Sequence, residues 1–246
     1  MHRYQILIEY VGTNYKGWQI QKKHKTIQGV LQKKISQLLK EKILIVGSGR
    51  TDAGVHAVAQ SAHFDCENLI LNKDKFIKSI NYFLNNLQIS VLDLKKKSLN
   101  FHARFTAKER MYKYIILNRI NPSVLNQDRN WHVIKKLNIQ AMKKAAKKLE
   151  GTKDFSAFRS SSCNAKSPIR TMNKAKIRFS KDQIIIEFRS QSFLQQQVRS
   201  MVGSLKYLGE GKWDIKDFKE AFKSKKRKMC APPAPAHGLY LNKVLY

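Results

Sequence analysis

The sequence predicts an α+β fold built from two ferredoxin-like halves, and three observations lead to this prediction. Residues 4–10 alternate between apolar and polar side chains, which is typical of a half-buried strand. Two later segments carry apolar residues at helical spacing, and short apolar runs lie between and after them. The resulting order of strand, helix, strand, strand, helix, strand is that of the ferredoxin-like split unit, in which helices cover one face of an antiparallel sheet.

The elements of the first half can be placed individually. The strand at 4–10 puts its larger apolar residues on one face, namely Tyr4, Ile6, Ile8 and Tyr10. Thr26 is a suitable N-cap for the first helix, whose apolar residues run from Ile27 to Leu39. The elements that follow are a short buried strand at 43–46, a strand at 55–64, an amphipathic helix at 76–87 and a strand at 89–94.

The second half is less regular, but it contains the same kinds of element. Strands are predicted at 111–117, 176–179, 184–188 and 238–244. Helices are predicted at 139–149 and 193–208, each followed by a glycine that can end it. The basic run at 223–228 and the proline-rich stretch at 231–235 are expected to form an exposed turn and an extended segment. The order of elements makes this half a decorated relative of the first, although no sequence repeat proves the relation.

We expect two domains, residues 1–100 and residues 101–246. A boundary within 97–108 falls between the last strand of the first half and the first strand of the second. No low-complexity linker separates the halves, so they are expected to share one continuous sheet or a tight interface.

The charge of the chain points to a nucleic-acid partner. There are 48 Lys and Arg residues against 17 Asp and Glu residues, which gives a formal net charge of +31. Such a field attracts polyanions. The sequence has neither an apolar stretch of about 18 residues nor a basic amphipathic anchor, so a nucleic acid is expected and a membrane is not. A lysine-rich surface that is only solvated is the alternative interpretation.

A cytoplasmic protein is expected from the amino terminus and the cysteines. The chain enters a strand pattern directly after Met1, without the features of a secretory signal. Cys66, Cys163 and Cys230 are widely separated and odd in number, so they form neither a disulfide framework nor a metal-binding knuckle. These features are typical of a reducing cytosol.

The most unusual segment is residues 47–57, Gly-Ser-Gly-Arg-Thr-Asp-Ala-Gly-Val-His-Ala, which lies between two predicted strands. It is not a Walker loop, because Val55 and His56 follow Gly54 where Lys and Ser or Thr would be needed. It is not a dinucleotide fingerprint either, because Asp52 stands at the position of the third glycine.

Arg50 and Asp52 lie two positions apart, so both side chains can point the same way from an extended segment. A nearby guanidinium keeps a buried carboxylate ionised by lowering its pKa. The alternative is an ordinary turn in which Thr51 and Asp52 cap backbone amides. His56 and His63 have no third ligand at suitable spacing, so no metal site is predicted, and both are expected to be structural or to face the nucleic acid.

The segment 49–57 is one of seven short blocks of residues that occur along nearly the entire chain and are considered together. They are Tyr10-x-Gly12-Thr13-x-Tyr15-x-Gly17-Trp18-Gln19, Gly49-Arg50-Thr51-Asp52-Ala53-Gly54-Val55-His56-Ala57, Phe101-His102-Ala103-Arg104-Phe105, Arg110-x-Tyr112-x-Tyr114, Phe193-Leu194 with Val198-Arg199 and Met201-Val202-Gly203, Ala231-Pro232, and Gly238-Leu239-Tyr240-Leu241. In this order the blocks resemble the TruA family of tRNA pseudouridine synthases.

The resemblance implies a fold, a reaction and partners. The pseudouridine synthase fold has two halves that share a mostly antiparallel central sheet, with helices on one face and an active-site cleft on the other. The implied reaction is the isomerisation of uridine to pseudouridine in the anticodon arm of tRNA, at positions 38, 39 and 40, with no cofactor and no metal. A homodimer that grips one tRNA with both subunits is implied as well.

The resemblance also implies roles for individual residues. Asp52 would be the catalytic carboxylate, Arg199 its ion-pair partner, and Tyr112 the ring that stacks on the target base, while Arg50 would lie beside the RNA. The basic residues expected to bind the substrate backbone are Arg104, Arg110, Arg170 and the run 223–228.

Three of these residues have ordinary structural alternatives. Tyr112 could be a strand aromatic packed in the core, and Arg199 could be a solvated charge on a helix. Trp18 could either contact RNA or pack in the core. The chain also departs from the family pattern at Val11, where the family has Asp, and at Gln195–Gln197, where it has His and Met. The second departure puts the packing beneath Arg199 in question.

Two other functions are compatible with the sequence. One is an RNA-binding protein on the same scaffold that does no chemistry. The other is a hydrolase that uses Asp52 and Asp65 as a pair, following the two-carboxylate logic of glycosidases.

Overall fold

The structure, a computed structural model, describes all 246 residues of the chain. It has ten strands, which pair mostly in antiparallel fashion, and five α-helices, so the predicted α+β class is confirmed. None of the five helices is both long and apolar enough to cross a membrane. The chain divides into two compact units, residues 1–108 with 240–246, and residues 109–239. These ranges differ from the expected domains, because residues 101–108 and the end of the chain group with the first unit.

The helices and strands follow one another in this order. Up to residue 108 they are β1 (His2–Tyr10), α1 (Ile27–Leu39), β2 (Val46–Gly47), β3 (His56–Cys66), α2 (Lys73–Leu84) and β4 (Ile89–Lys97). From residue 109 they are β5 (Glu109–Leu117), β6 (Trp131–His132), α3 (Ile139–Lys147), β7 (Gly151–Asp154), β8 (Ile169–Ser180), β9 (Gln183–Ser190), α4 (Gln197–Gly209), α5 (Ile215–Lys223) and β10 (Leu239–Leu245).

The sheet of the first unit has the strand order β4-β1-β3, and both β2 and β10 pair with β3. All of these pairings are antiparallel except that of β10 with the start of β3. The predicted order of strand, helix, strand, strand, helix, strand is confirmed here. Because β2 pairs with β3, the loop 48–55 joins two strands that are neighbours in the sheet.

The first strand and the Thr26 cap are confirmed, and α2 has a cap that was not predicted. The four residues predicted to share the buried face of β1 are at most 3% exposed, namely Tyr4, Ile6, Ile8 and Tyr10. Thr26 Oγ1 accepts a hydrogen bond from the amide of Gly29 at 3.3 Å, and α1 begins there. Asn72 Oδ1 accepts from the amide of Lys75 at 2.8 Å at the start of α2. Each cap satisfies an amide that the helix itself leaves without a partner.

The strand predicted at 43–46 is wrong for most of its length, because β2 contains only its last residue and the glycine after it. Side chains of α1 take the place of a partner strand. The amide of Ile43 donates to Ser36 Oγ at 2.9 Å, and the amide of Ile45 donates to Gln32 Oε1 at 3.2 Å. Gln28 Nε2 donates to the carbonyl of Ile45 at 2.7 Å. The backbone is satisfied without a ladder, which a hydrophobic pattern cannot reveal.

The second unit repeats part of this plan. Its sheet has the order β5-β9-β8-β7, all antiparallel, and β6 pairs with β5. The elements β5, α3, β8, β9 and α4 give the sequence strand, helix, strand, strand, helix, and β6, β7 and α5 are additions. The core of the sheet includes buried apolar residues of β5 and β9, namely Tyr114, Ile116, Ile184, Ile186 and Phe188.

Two helix assignments in this unit differ from the prediction. The helix predicted from residue 193 begins at Gln197, because Gln196 has a left-handed backbone with φ of 59°. Residues 215–223 form α5, which the sequence analysis missed. Its signal is a capping box, in which Asp214 and Asp217 each accept a hydrogen bond from the other's amide at 2.9 Å. The basic run at 223–228 therefore starts on the last residue of a helix.

Candidate active site

The loop 48–55 carries the carboxylate that the sequence singled out. Asp52 is half-buried and Arg50 is exposed. Arg50 Nε donates to Gln19 Oε1 at 3.1 Å. After Asp52 the chain turns sharply, because its carbonyl accepts a hydrogen bond from the amide of Val55 at 3.2 Å and Gly54 has φ of 78°. The segment thus contains a turn, and Asp52 is its first residue.

The first family-like block, residues 10–19, supports this loop from one side. The amide of Trp18 donates to the carbonyl of Thr51 at 3.1 Å, and the amide of Gly54 donates to the carbonyl of Tyr15 at 3.3 Å. Tyr10 and Thr51 share a hydrogen bond between their hydroxyl groups at 2.8 Å. Thr51 therefore binds a distant strand through its side chain instead of capping a nearby amide.

Glycines allow the block 10–19 to pack closely against the loop 48–55 and the residue before it. A side-chain carbon at Gly17, which has φ of 87°, would lie 2.6 Å from the carbonyl oxygen of Thr51. At Gly47 it would lie 2.6 Å from the ring of Trp18. Trp18 is only 2% exposed, so it packs in the core and does not reach a ligand. These positions need glycine because a larger residue would push the loop away.

Strand β3 supports the loop from the other side. Ser48 Oγ donates to Gln60 Oε1 at 2.7 Å, and Gln60 Nε2 donates to the carbonyl of Gly49 at 3.0 Å. The amide of Ser48 donates to the carbonyl of Ser61 at 2.7 Å. Gln60 is fully buried, so these bonds are shielded from water.

The two histidines of β3 are structural. His56 Nδ1 accepts the amide of Gly12 at 3.0 Å, and His63 Nδ1 accepts the amide of Ala103 at 3.1 Å. Burial, together with the smaller effects of the charges on Arg3 and His102, lowers the pKa of His63 to about 4. A neutral ring with Nδ1 as acceptor fits both positions. No group of three or more His, Cys, Asp or Glu residues in the chain could hold a metal ion.

Asp65 does not share a site with Asp52. Both of its oxygens accept hydrogen bonds from Arg3 at 2.7 Å, and this pairing lowers the pKa of the carboxyl. Thr51, the neighbour of Asp52, bonds to Tyr10, which pairs with Ala57 near the start of β3. Asp65 lies eight residues farther along that strand, roughly 26 Å away at about 3.3 Å per residue. Glycosidases hold their two carboxylates within about 10 Å of each other. The pairing that the hydrolase interpretation needs is therefore absent.

In the second unit, Tyr112 and Arg110 lie on β5 with little exposure, 8% each. The Tyr112 ring meets the ring of Phe193 at 84°, with 5.1 Å between centroids. Arg110 donates through Nη1 to the carbonyl of Gln191. Both side chains are thus held by the segment that leads into α4.

Arg199 lies on α4 and is held by the proline-rich segment 231–235. Its Nε donates to the carbonyl of Ala234 at 2.7 Å, and its own carbonyl accepts the amide of Ala234 at 2.9 Å. Tyr114 donates its hydroxyl to the carbonyl of Pro235 at 2.8 Å. Burial raises the pKa of Tyr114 well above its usual value, although the charge of Arg199 acts in the opposite direction. Arg199 is therefore oriented by backbone and is not a freely solvated charge.

The residues at the departures from the family pattern make hydrogen bonds to the backbone. Gln197 is fully buried at the start of α4, and its Oε1 accepts the amide of Leu194 at 2.8 Å. Its Nε2 is buried without a hydrogen-bond partner, so the packing beneath Arg199 includes an unsatisfied polar atom. The amide of Val11 donates to the carbonyl of Gln88 at 3.0 Å.

The other basic residues proposed for substrate binding differ in exposure. Arg104 is exposed, with its guanidinium 5.5 Å from the ring centroid of Phe105. Arg170 is half-buried, and its Nη1 donates to the carbonyls of Ser167 and Ile169. Within the run 223–228, Lys225 forms an ion pair with Asp154 at 3.3 Å.

The structure places Asp52, Arg50 and Arg104 in the first unit, and Tyr112, Arg110 and Arg199 in the second. The residues that hold Arg50 and the loop were not predicted from the sequence. Gln19 holds Arg50, and Gln60 holds the base of the loop. Gln19 lies inside a matched block, so its position was the available signal, whereas Gln60 lies outside all seven blocks.

The chain is similar to known proteins along its whole length. A model of the family described as tRNA pseudouridine synthase matches residues 6–106 and 145–246. The chain is 64% identical to the tRNA pseudouridine synthase A of Pelagibacter ubique (strain HTCC1062) over 246 residues, with all of both chains covered. It is 43% identical to the protein of that name from Xanthobacter autotrophicus (strain ATCC BAA-1158 / Py2), again over the whole of both chains. The crystal structure of a Cbf5-Nop10-Gar1 complex is 11% identical, covers 82% of this chain and 53% of its own, and has a TM-score of 0.33, too low to carry an argument.

Gly17→Ala is expected to destabilise the protein more than Gly211→Ala. Both glycines have positive φ, 87° and 75°, so both changes introduce similar backbone strain. Only Gly17 lies against the loop, at Thr51, whereas nothing lies within 4 Å of a side-chain carbon at Gly211. The extra overpacking at Gly17 should cost about 1 to 3 kcal/mol. Urea unfolding gives the free energy of unfolding of each variant. An equal decrease in the two variants would contradict the close approach at Gly17.

Proposed function

This chain belongs to the tRNA pseudouridine synthase family, and we propose that it converts uridine to pseudouridine in the anticodon arm of tRNA with Asp52 as the catalytic carboxylate. The observation that carries the proposal is the loop 48–55, which backbone and side-chain bonds hold from two sides while Asp52 stays half-buried and Arg50 exposed. Holding a reactive group on a rigid support is what catalysis by positioning requires.

The reaction needs little beyond that group. The bond from ribose C1′ to uracil N1 breaks, a bond from C1′ to uracil C5 forms, and the proton of C5 is replaced by one on N1. Substrate and product are isomers, so no redox cofactor and no phosphate energy are consumed. One ionised carboxylate can attack the base, attack the sugar carbon, or take a proton from the ribose. We propose that Asp52 acts in one of these ways without a bound cofactor or metal.

The remaining roles follow the family resemblance. A uridine must leave its stack before the glycosidic bond can be reached, which costs a few kcal/mol. Stacking on an aromatic ring returns roughly 1 to 3 kcal/mol, and Tyr112 is proposed for this role. Arg199 is proposed as the ion-pair partner of Asp52, with Arg50, Arg104 and Arg110 binding the RNA. The backbone contact that orients Arg199 and the ring contact that orients Tyr112 support these roles, because a positioned group acts better than a mobile one.

Asp52→Asn is expected to abolish the reaction without preventing binding. The change keeps the size of the side chain and removes its charge, so pseudouridine formation in a tRNA transcript should fall by more than about 1,000-fold. The affinity for tRNA should stay within a few fold, because backbone phosphates dominate binding. Asp65→Asn is the matched control and should retain activity per folded molecule. A fully active Asp52→Asn variant would overturn the mechanism, and release of free uracil by the unaltered protein would indicate a hydrolase.

Arg199→Leu is expected to move the acidic limb of the pH–activity profile to higher pH. A guanidinium near a carboxylate lowers the carboxyl pKa, so removing it raises the pH at which Asp52 becomes ionised. Arg199→Lys keeps the charge but lacks the Nε that binds the Ala234 carbonyl. If only Leu shifts the profile, the charge is responsible. Identical profiles for all three proteins would contradict the ion pair.

We also propose that the chain acts as a homodimer in the cytoplasm. The connection between β5 and β6 exposes large apolar side chains, with Ile120 77%, Val124 84% and Leu125 96% exposed. Grouped exposed apolar residues are typical of contact surfaces. Sedimentation should give twice the chain mass of 28.6 kDa. Leu125→Asp should weaken the dimer, whereas Leu71→Asp, at an 88% exposed leucine of the first unit, should not. A monomeric unaltered protein would refute the proposal.

A further inference from the structure

The turn at residues 101–106 exposes an aromatic side chain to solvent. Phe105 is 73% exposed, although the turn belongs to one of the family-like blocks. Its neighbours Arg104 and Thr106 are exposed as well. The ring does not contribute to the core, and it differs from the other exposed apolar side chains in lying next to an arginine inside a family-like block.

The side chain of His102 organises the turn. His102 Nδ1 accepts the amides of Arg104 at 3.2 Å and Phe105 at 3.3 Å. The carbonyl of His102 accepts the amide of Thr106 at 3.0 Å and its hydroxyl at 2.7 Å. The backbone that carries Phe105 is thus fixed by four local hydrogen bonds, so the point from which the ring projects does not depend on a ligand.

Three distant residues attach the turn to the first unit. The amide of Ala103 donates to His63 on β3, and its carbonyl accepts the hydroxyl of Tyr246 at 2.8 Å. Arg3 Nη1 donates to the carbonyl of Phe101 at 2.8 Å. Ala103 itself is fully buried. The backbone of the turn is therefore already ordered, so binding needs to immobilise only the exposed side chains.

The groups around the ring match the chemistry of a nucleotide. The His102 and Phe105 rings lie 4.3 Å apart at 32°, and the Arg104 guanidinium lies 5.5 Å from the Phe105 ring centroid. An aromatic face next to a cation can take a flat base together with its phosphate. A protein partner would need a wider apolar surface than one ring flanked by Arg104 and Thr106.

We infer that Phe105 is a base-stacking residue, on which an unpaired base of the tRNA packs while Arg104 binds an adjacent phosphate. The inference rests on the proposed function only in taking tRNA as the ligand. The stacked base is distinct in role from the reacting uridine, which is assigned to Tyr112. Phe105 would thus help to fix the register of the RNA in the enzyme.

The test compares variants in an Asp52→Asn background, which separates binding from chemistry. Phe105→Ala should raise the Kd for an unmodified tRNA transcript about tenfold, within the range of roughly 5- to 150-fold that base stacking gives. Phe105→Trp should restore binding, and its new indole should be quenched when tRNA is added. The salt dependence of binding should distinguish the roles of the two side chains. Phe105→Ala should leave the slope of log affinity against log salt concentration unchanged, whereas Arg104→Gln should reduce its magnitude by about one.

Controls exclude a general loss of structure. Phe179→Ala removes another exposed phenylalanine, 53% exposed on β8, and should leave the Kd within twofold. Phe105→Leu keeps an apolar side chain without a π face and should bind as weakly as Phe105→Ala. Binding by Phe105→Ala within twofold of its parent would overturn the inference, and so would full recovery by Phe105→Leu.

Kinetics distinguish this inference from the proposed function. In the active background, Phe105→Ala should raise KM about tenfold with little change in kcat, since stacking of a base that does not react is equal in ground and transition states. If the unaltered protein forms no pseudouridine but its tRNA affinity still depends on Phe105, the proposed function fails and the stacking site stands. If the protein forms pseudouridine but neither KM nor kcat changes in Phe105→Ala, the proposed function stands and the stacking site fails.

Discussion

The close approach of two backbone segments is the constraint on which the candidate site depends. Residues 10–19 lie against the loop 48–55 at distances that only glycine permits, at Gly17 beneath Thr51 and at Gly47 beneath Trp18. Hydrogen bonds from Trp18 and Gly54 then tie the segments together. A loop held this closely has few alternative conformations, so the half-buried carboxylate of Asp52 is presented in one place. Packing, and not local turn propensity, therefore determines where the charge lies.

The charge of the molecule acts as a second constraint, because its carboxylates are too few to pair with its 48 basic residues. Three of them pair with more than one cation, namely Asp93, Glu187 and Glu210. Glu187, 8% exposed on β9, pairs with Lys174 at 3.4 Å, Arg178 at 3.0 Å and Arg189 at 2.7 Å. Clusters of like charge destabilise a compact state until a polyanion binds. Salt that screens this repulsion and RNA that binds the basic surface therefore both stabilise the folded chain.

Sequence patterns were informative where a residue's role is local. The alternation of β1 and the Thr26 cap were predictable, because both depend on neighbours in the chain. The segment 43–45 was not, because its amides bond to side chains of α1 that a hydrophobic pattern treats as polar surface. At the candidate site, Asp52 and Arg50 were singled out by composition and by family resemblance. Their supports Gln19 and Gln60 act through long-range hydrogen bonds, which leave no periodic trace in a single sequence.

The segment that orients Arg199 contains Pro232, Pro233 and Pro235, and this composition has an energetic consequence. Each pyrrolidine ring restricts the backbone before the protein folds, so little freedom is left to lose when the Ala234 carbonyl takes its place beside the guanidinium. Arg199 is thus held by a segment whose backbone is restricted in the denatured chain as well. Raising the temperature destabilises an ordered loop in proportion to the conformational entropy that the loop lost on folding. This contact should therefore persist to a higher temperature than a contact made by a flexible loop of equal length.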